Sequence, residues 1–243
     1  MSSIPTYQYT DVYRNHLRYY KYIFPYEPFL TWMKYGNMTN LLNREFALTL
    51  ANNSHMRYQS ISCPDDLKGK ILKHCPLALH LGAVYNSRPT DRRAPSFTAI
   101  ERELVFDLDL SAYDDVRTCC RGTRICAKCW RFMTIGMEII EAAIQEDFGY
   151  HQLLWVYSGR RGLHCWVCDP AARKLSERSR SAIAEYLQVV SLRGLKAVRL
   201  RGRNIHPSIN RAATKIERIF DIILTEQGIL QNKESWSKVI LFW

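Results

Sequence analysis

The chain has 243 residues, 47% of them hydrophobic, with 34 lysines and arginines against 23 acids for a formal net charge of +11. That length suits one large domain or two small ones with a substantial core. No run approaches the roughly 20 apolar residues of a membrane helix. The first residues, MSSIPTYQYTD, lack a charged and apolar leader pattern, so cytosol or nucleus is expected and no membrane partner. The basic excess favours polyanions: nucleic acid, nucleotides or acidic lipid.

Taken in chain order, Tyr13, Leu17, Tyr20 and Phe24 recur at helical spacing before Pro25, which predicts a helix over 11–24 with its aromatics in the core. REFALTL (44–50) alternates as a strand, with Phe46, Leu48 and Leu50 on one face and Glu45 on the other. MRYQSI (56–61) pairs with it as a hairpin, and LALHLGAVY (77–85) is a further strand. Residues 86–98 are polar, contain two prolines and read as a loop. In the strand ELVFDLDL (103–110), Leu104, Phe106, Leu108 and Leu110 share one face; Glu103, Val105, Asp107 and Asp109 share the other. Met133, Met137, Ile140 and Ile144 stripe a helix over 130–148, and Gly149 ends it. Residues 153–169 read as strand, tight turn, strand. Helices follow over 176–190 and 207–224, separated by the arginine-rich SLRGLKAVRLRGRN (191–204). The class is therefore α/β in the mixed α+β sense, with a mixed sheet and several hairpins.

Three motifs carry chemistry. Aspartate is disfavoured in strands, and Asp107 and Asp109 point the same way about 7 Å apart along the backbone. A divalent cation would remove their repulsion and, in pairs, clamp a phosphoryl displacement. The alternative is an exposed face with two solvated acids, and the D-x-D pattern alone does not choose. Cys119, Cys120, Cys126 and Cys129 lie within eleven residues, close with C-x-x-C and suit a tetrahedral structural Zn²⁺; the alternative is four unrelated thiols. With no leader, eight cysteines point to metal or free thiols, not disulfides. Cys165 and Cys168 sit in a predicted strand on opposite faces and read as core thiols; Cys63 and Cys75 have no ligand pattern. In SGRRGLH (158–164), two glycines bracket Arg160 and Arg161 at a hairpin turn, with Ser158 and His164 flanking it. That suits phosphate binding, or else it is a solvated basic hairpin. A basic stretch follows, with 12 Lys/Arg against 3 acids over 171–218.

Together these motifs resemble one family. ELVFDLDLSAYDDVRTCC with ICAKCW, then WVYSGRRGLHCWVCD, are similar to the catalytic small subunit of DNA primase, of the eukaryotic type. LLNREFALTL, RYQS, LGAVYNSRP, EDFG and NKESW match in the same order, so the resemblance runs from about Tyr7 to Trp236. It implies a template-directed RNA polymerase making short primers for replication by two-metal nucleotidyl transfer. It implies a catalytic glutamate at Glu45, Mg²⁺ or Mn²⁺ on Asp107 and Asp109, and structural Zn²⁺ on Cys119, Cys120, Cys126 and Cys129. It places the incoming nucleotide's phosphates at Ser158, Arg160, Arg161 and His164, with Arg57 as a further nucleotide contact. The implied partners are the primase large subunit, the DNA polymerase alpha complex, a single-stranded DNA template and ribonucleoside triphosphates, in the nucleus.

The expected organisation is a catalytic core over 1–170, with a zinc knuckle at 119–129, and a mainly helical subdomain over 171–243. The family also supplies a third metal-binding aspartate from a later strand, then a lysine and a histidine. After Asp169 the only aspartate here is Asp221, inside a predicted helix. The expectation is therefore a chain lacking the carboxy-terminal part of that core, binding nucleotide weakly and making little primer alone. Two rivals stand beside the polymerase: a catalytically silent nucleic-acid or assembly module, and a metal-dependent nuclease, against which the arginine turn argues.

Overall fold

The structure is a computed structural model, described for residues 10–188 and 205–231. The chain divides into two compact units, 1–102 and 103–243.

The first unit holds α1 (Asp11–Tyr22), α2 (Tyr26–Lys34), α3 (Met38–Leu42), β1 (Arg44–Thr49), β2 (His55–Gln59), α4 (Pro64–His74), β3 (Ala78–Tyr85) and β4 (Ala99–Glu101). The Thr10 side chain caps α1, accepting from the Tyr13 backbone N–H at 3.2 Å. As expected, Tyr20 is buried, and Tyr13, Leu17 and Phe24 pack against the same core, with Leu30, Met33, Phe46, Leu67 and Ile71. The sheet order is β2-β1-β3-β4, with every pair antiparallel. Since β2 and β3 each run antiparallel to β1, they are parallel to each other across it, and α4 makes the crossover. All six residues of β1 are buried or half-buried. Glu45, expected on a face opposite the core residues, is therefore enclosed too.

The second unit holds β5 (Leu104–Asp109), α5 (Ala127–Phe148), β6 (Leu153–Tyr157), β7 (Gly162–Val167), α6 (Pro170–Arg173), α7 (Glu177–Leu187) and α8 (Pro207–Glu226). The sheet order is β5-β7-β6, again antiparallel throughout. The mixed α+β class holds, but both sheets are antiparallel where a mixed sheet was expected. Each helical crossover does return a strand parallel to an earlier one. A hairpin partner lies between the two, so no parallel pair forms.

The leucine face of β5 builds the core as predicted. Leu108 and Leu110 pack with Phe132 and Met133 of α5, Leu163 of β7 and Ile223 of α8. Leu104 packs with Ile144, Cys165, Val167 and Ile183 of α7. The helices after residue 170 thus complete the core of this sheet, and the division of the chain falls after Arg102, not at 170. Glu103, expected on the open face, is buried at 2% exposure, and its carbonyl accepts from Arg180 Nη1 at 3.0 Å. Among the described residues no helix is long and apolar enough to cross a membrane.

Candidate functional site

The β5–β7 ladder places the aspartates directly beside the arginine turn. Asp107 pairs with His164 and Asp109 with Gly162. A Cβ at Gly162 would lie 2.5 Å from the Leu108 carbonyl oxygen, so only glycine lets the turn approach β5 this closely. Arg161 Nε then donates to both oxygens of Asp109, at 2.7 and 3.0 Å. Asp109 also accepts from the backbone N–H and the hydroxyl of Ser111, both at 2.8 Å. The Arg161 guanidinium and then the Ser111 N–H hold the Asp109 carboxyl well below the usual carboxylate range. Asp107 is different: its side chain is 70% exposed, with His164 Nε2 3.5 Å away.

The other turn residues divide by role. Ser158 Oγ accepts from the Gly162 N–H at 3.0 Å, so it shapes the turn. Tyr157 donates its hydroxyl to the Arg160 carbonyl at 2.9 Å. Arg160 is exposed and its side chain has no ion pair among the described residues. One arginine is thus engaged with an acid and one faces solvent. For a hard divalent cation the donor set is chemically apt: oxygen ligands with an open side for water or phosphate oxygens. Asp107 offers a free carboxylate, while at Asp109 the cation meets competition from Arg161.

In the first unit, Glu45 is 4% exposed. Its carboxylate accepts from Arg57 Nε at 3.1 Å, the Tyr58 N–H at 3.3 Å and the Tyr85 hydroxyl at 3.2 Å. The pairing of β1 is irregular around it, shifting between Arg44 and Phe46 against β3 and between Phe46 and Leu48 against β2. Tyr58 adopts φ 57°, a left-handed backbone that an aromatic residue rarely takes; its N–H thereby reaches the carboxylate. A Cβ at Gly82 would stand 2.7 Å from Glu45 Cβ, so this acid also needs a glycine opposite. Arg57, more than half exposed, reaches the buried carboxylate from the solvent side.

The four clustered cysteines come together. Their sulfurs all lie within 4.8 Å of one another, and Cys126 Sγ and Cys129 Sγ are 3.8 Å apart. Tetrahedral thiolates about 2.3 Å from a zinc ion would stand roughly 3.8 Å apart, so the set fits such an ion. The C-x-x-C starts α5. Cys126 is the N-cap; its sulfur accepts from the Cys129 N–H, and Cys129 Sγ accepts from the Cys126 N–H at 3.2 Å. That is a capping box built from thiols. The Cys129 N–H draws the Cys126 thiol down to about 6, whereas hydrogen bonding to Cys126 and then burial push Cys120 up to about 12. The adjacent pair converges because Gly122 (φ 59°) turns the chain between it and Cys126.

Sequence reasoning missed the groups that hold this loop. Arg117 is 1% exposed; it pairs with Asp114 and donates to the carbonyls of Gly122 at 2.9 Å and Arg124 at 3.0 Å. Its Nη1 lies 3.8 Å from Cys129 Sγ. From the end of α8, Gln227 Oε1 accepts from the N–H groups of Thr118 at 2.8 Å and Cys119 at 3.3 Å. An arginine two residues before a cysteine pair was the available signal for the first. A glutamine 108 positions beyond Cys119 gave none. Cys165 and Cys168 are buried thiols, as expected, and burial pushes Cys165 up to about 12. The arginine-rich 191–204, the NKESW segment at 232–236 and Tyr7 lie outside the described residues.

The family model for the DNA primase small subunit matches residues 106–238. That span contains the aspartates, the cysteine cluster and the arginine turn. The chain is 41% identical over 227 residues to the DNA primase small subunit of Schizosaccharomyces pombe, covering 90% of this chain and 50% of that protein. It is 38% identical over 231 residues to that of Drosophila melanogaster, covering 91% and 53%. To that of Saccharomyces cerevisiae it is 36% identical over 229 residues, covering 92% and 56%. It therefore spans about half the length of the curated relatives it matches. On the matched span and these identities, the chain belongs to the DNA primase small subunit family.

Proposed function

We propose that the chain carries the nucleotidyl-transfer site of a primase, joining ribonucleoside triphosphates on a single-stranded DNA template into RNA primers for replication. The observation that carries this reading is the β5–β7 register, which sets Asp107 and Asp109 beside His164 and the arginine turn. Divalent magnesium or manganese held by the two aspartates would supply the positive charge that offsets the attacking 3′-hydroxyl and the departing pyrophosphate. Asp107 gives that ion its open carboxylate. Arg160 and Arg161 bind the triphosphate as forked donors. Arg161 begins on Asp109, so an arriving triphosphate gives it a second anionic partner and leaves Asp109 oxygens to a cation. His164, 3.5 Å from Asp107, orients a phosphate oxygen. By the family resemblance we further assign Glu45 a catalytic role and Arg57 a nucleotide contact.

In this reading the four cysteines hold a structural zinc ion; its thiolates lie in a loop already cross-braced by Arg117. The relatives' name, small subunit, supports work within a larger assembly; the members we propose for it are a primase large subunit and the DNA polymerase alpha complex, in the nucleus. The test is dinucleotide formation on a single-stranded template with Mg²⁺ or Mn²⁺, with and without the large subunit. Asp107→Asn and Asp109→Asn should each abolish product. Arg161→Ala should weaken triphosphate binding by about 1.5–3 kcal/mol. Undiminished synthesis by the double aspartate variant overturns the proposal. Triphosphate binding without turnover in the assembled complex would instead favour a silent binding module, and equal binding of mono- and triphosphates a nuclease.

A further inference from the structure

Gln227 ends α8 and is 3% exposed. Its amide orientation follows from its partners. The side chain meets two backbone N–H groups, of Thr118 and Cys119, so the oxygen must face them. The Gln227 backbone carbonyl accepts the Thr118 hydroxyl on the same side. The amide nitrogen is therefore left over. It is buried and has no hydrogen-bond partner among the described residues. A buried donor without a partner is costly, and native proteins rarely keep one. What lies beside it is the cysteine cluster: the same side-chain amide accepts from the backbone N–H of Cys119, one residue of the four-sulfur set. Four neutral thiols are poor acceptors. Four thiolates around a divalent ion carry a net charge of roughly −2 and are strong ones. Arg117 serves the Cys129 side of the cluster; on the Cys119 side, Gln227 holds the orphaned donor.

We infer that Gln227 is a positioning residue of the cysteine centre: its oxygen fixes the Thr118–Cys119 backbone, and its amide N–H donates to the Cys119 sulfur once the cluster holds its metal. This rests on the reading of the cluster as a zinc site. It makes the end of α8 part of the centre, so metal loss loosens that helix end. The Arg131–Glu226 pair, at 2.6 and 2.9 Å, ties the same turn to α5.

The test uses the whole chain loaded with zinc, and separately with cobalt(II). Gln227→Glu keeps the oxygens that accept from Thr118 and Cys119 but removes the N–H donor. Thr118→Val is the control, since it removes the hydroxyl's bonds to the Gln227 backbone carbonyl and amide oxygen and leaves the amide N–H donor in place. Gln227→Glu should surrender zinc to a competing chelator about 10–100-fold more readily than wild type, the scale for outer-shell changes. In the cobalt form its sulfur-to-metal charge-transfer band should move to lower energy, because a thiolate without a donor gives up charge more easily. Thr118→Val should keep the wild-type band. Gln227→Glu with wild-type zinc affinity and an unshifted band overturns the inference while leaving the zinc reading intact. A wild-type chain that takes up no zinc overturns both.

Discussion

In the first unit the carboxylate of Glu45 is enclosed and accepts from three partners, one of them a backbone N–H delivered by the left-handed Tyr58. In the second unit Asp109 is pinned by Arg161 and Ser111, while Asp107, two residues earlier on the same strand, stands 70% exposed. Both strands face a glycine that lets backbone or side chain approach: Gly82 at Glu45 and Gly162 at Leu108. The acids therefore form a graded series, from one built into the fold to one the fold leaves free. A burial cost is offset by hydrogen bonds at Glu45. At Asp107 no burial cost is incurred, and the carboxylate remains for a ligand. The gradient predicts that stability and chemistry respond oppositely to changes along the series.

The largest expected effect comes from the glycine whose neighbour cannot move. Gly162→Ala puts a Cβ against the Leu108 carbonyl oxygen at 2.5 Å, and that atom belongs to the β5 backbone between the two aspartates. The strands must separate or the turn must shift. We expect a loss of about 2–3 kcal/mol, within the range for overpacking, read from urea unfolding. A variant as stable as the parent would show that the ladder has room, and the close approach would lose its explanation.

Next comes Glu45→Ala. It strands the Tyr58 N–H and the Tyr85 hydroxyl, whereas the more exposed Arg57 can return to water. About 1–3 kcal/mol should be lost, the cost of unsatisfied buried donors. Tyr85 supplies an internal check. Burial and then the Glu45 charge raise the Tyr85 phenol above its ordinary value, so its ultraviolet titration should move down in the variant. No movement would place the two groups out of contact.

These sites were unevenly legible in the sequence. Alternation exposed β1, β5 and the β6–β7 hairpin, and the three- and four-residue spacing of Met133, Met137, Ile140 and Ile144 exposed α5. α4 was missed although Pro64 at its first position, Asp65 and Asp66 in the first turn, and buried Leu67 and Ile71 four apart all mark a helix. α2 was missed because Pro28 masks it; in a first turn proline costs no hydrogen bond. The candidate residues themselves were readable, since charge in a strand and clustered thiols are local anomalies. Their partners were not. Arg117, Gln227 and Tyr85 act through burial and long-range contact, and one glutamine or tyrosine looks like any other until the chain is folded.

A smaller effect separates Asp109 from an ordinary surface acid. Its carboxyl is depressed by Arg161, so the pair stabilises the fold at pH values above the unfolded pKa, about 3.9. That contribution is lost as pH falls through the lower folded value. Carboxyl ¹³C shifts should show Asp109 still ionised where other aspartates have protonated. Arg161→Gln should bring it back toward them, and coincident titration in wild type would dissolve the ion pair in solution.

The smallest effect on stability, and the sharpest contrast with Glu45, belongs to Asp107. Its side chain is mostly in water, and the His164 ring nitrogen sits 3.5 Å away, a distance at which even an ionised, exposed pair contributes little. Asp107→Asn keeps the shape and removes the charge, so unfolding free energy should change by no more than about 0.5 kcal/mol, as for surface positions generally. Removing a like charge from beside Asp109 offsets part of even that. The same substitution deletes the one open carboxylate at the site, so binding of Mn²⁺, followed by loss of its free-ion spectrum, should weaken clearly in the same preparation. Glu45→Ala should show the reverse, a loss of stability with the Mn²⁺ titration unchanged. If Asp107→Asn unfolded as readily as Glu45→Ala, the free acid would turn out to be structural, and the graded series would collapse into two ordinary buried networks.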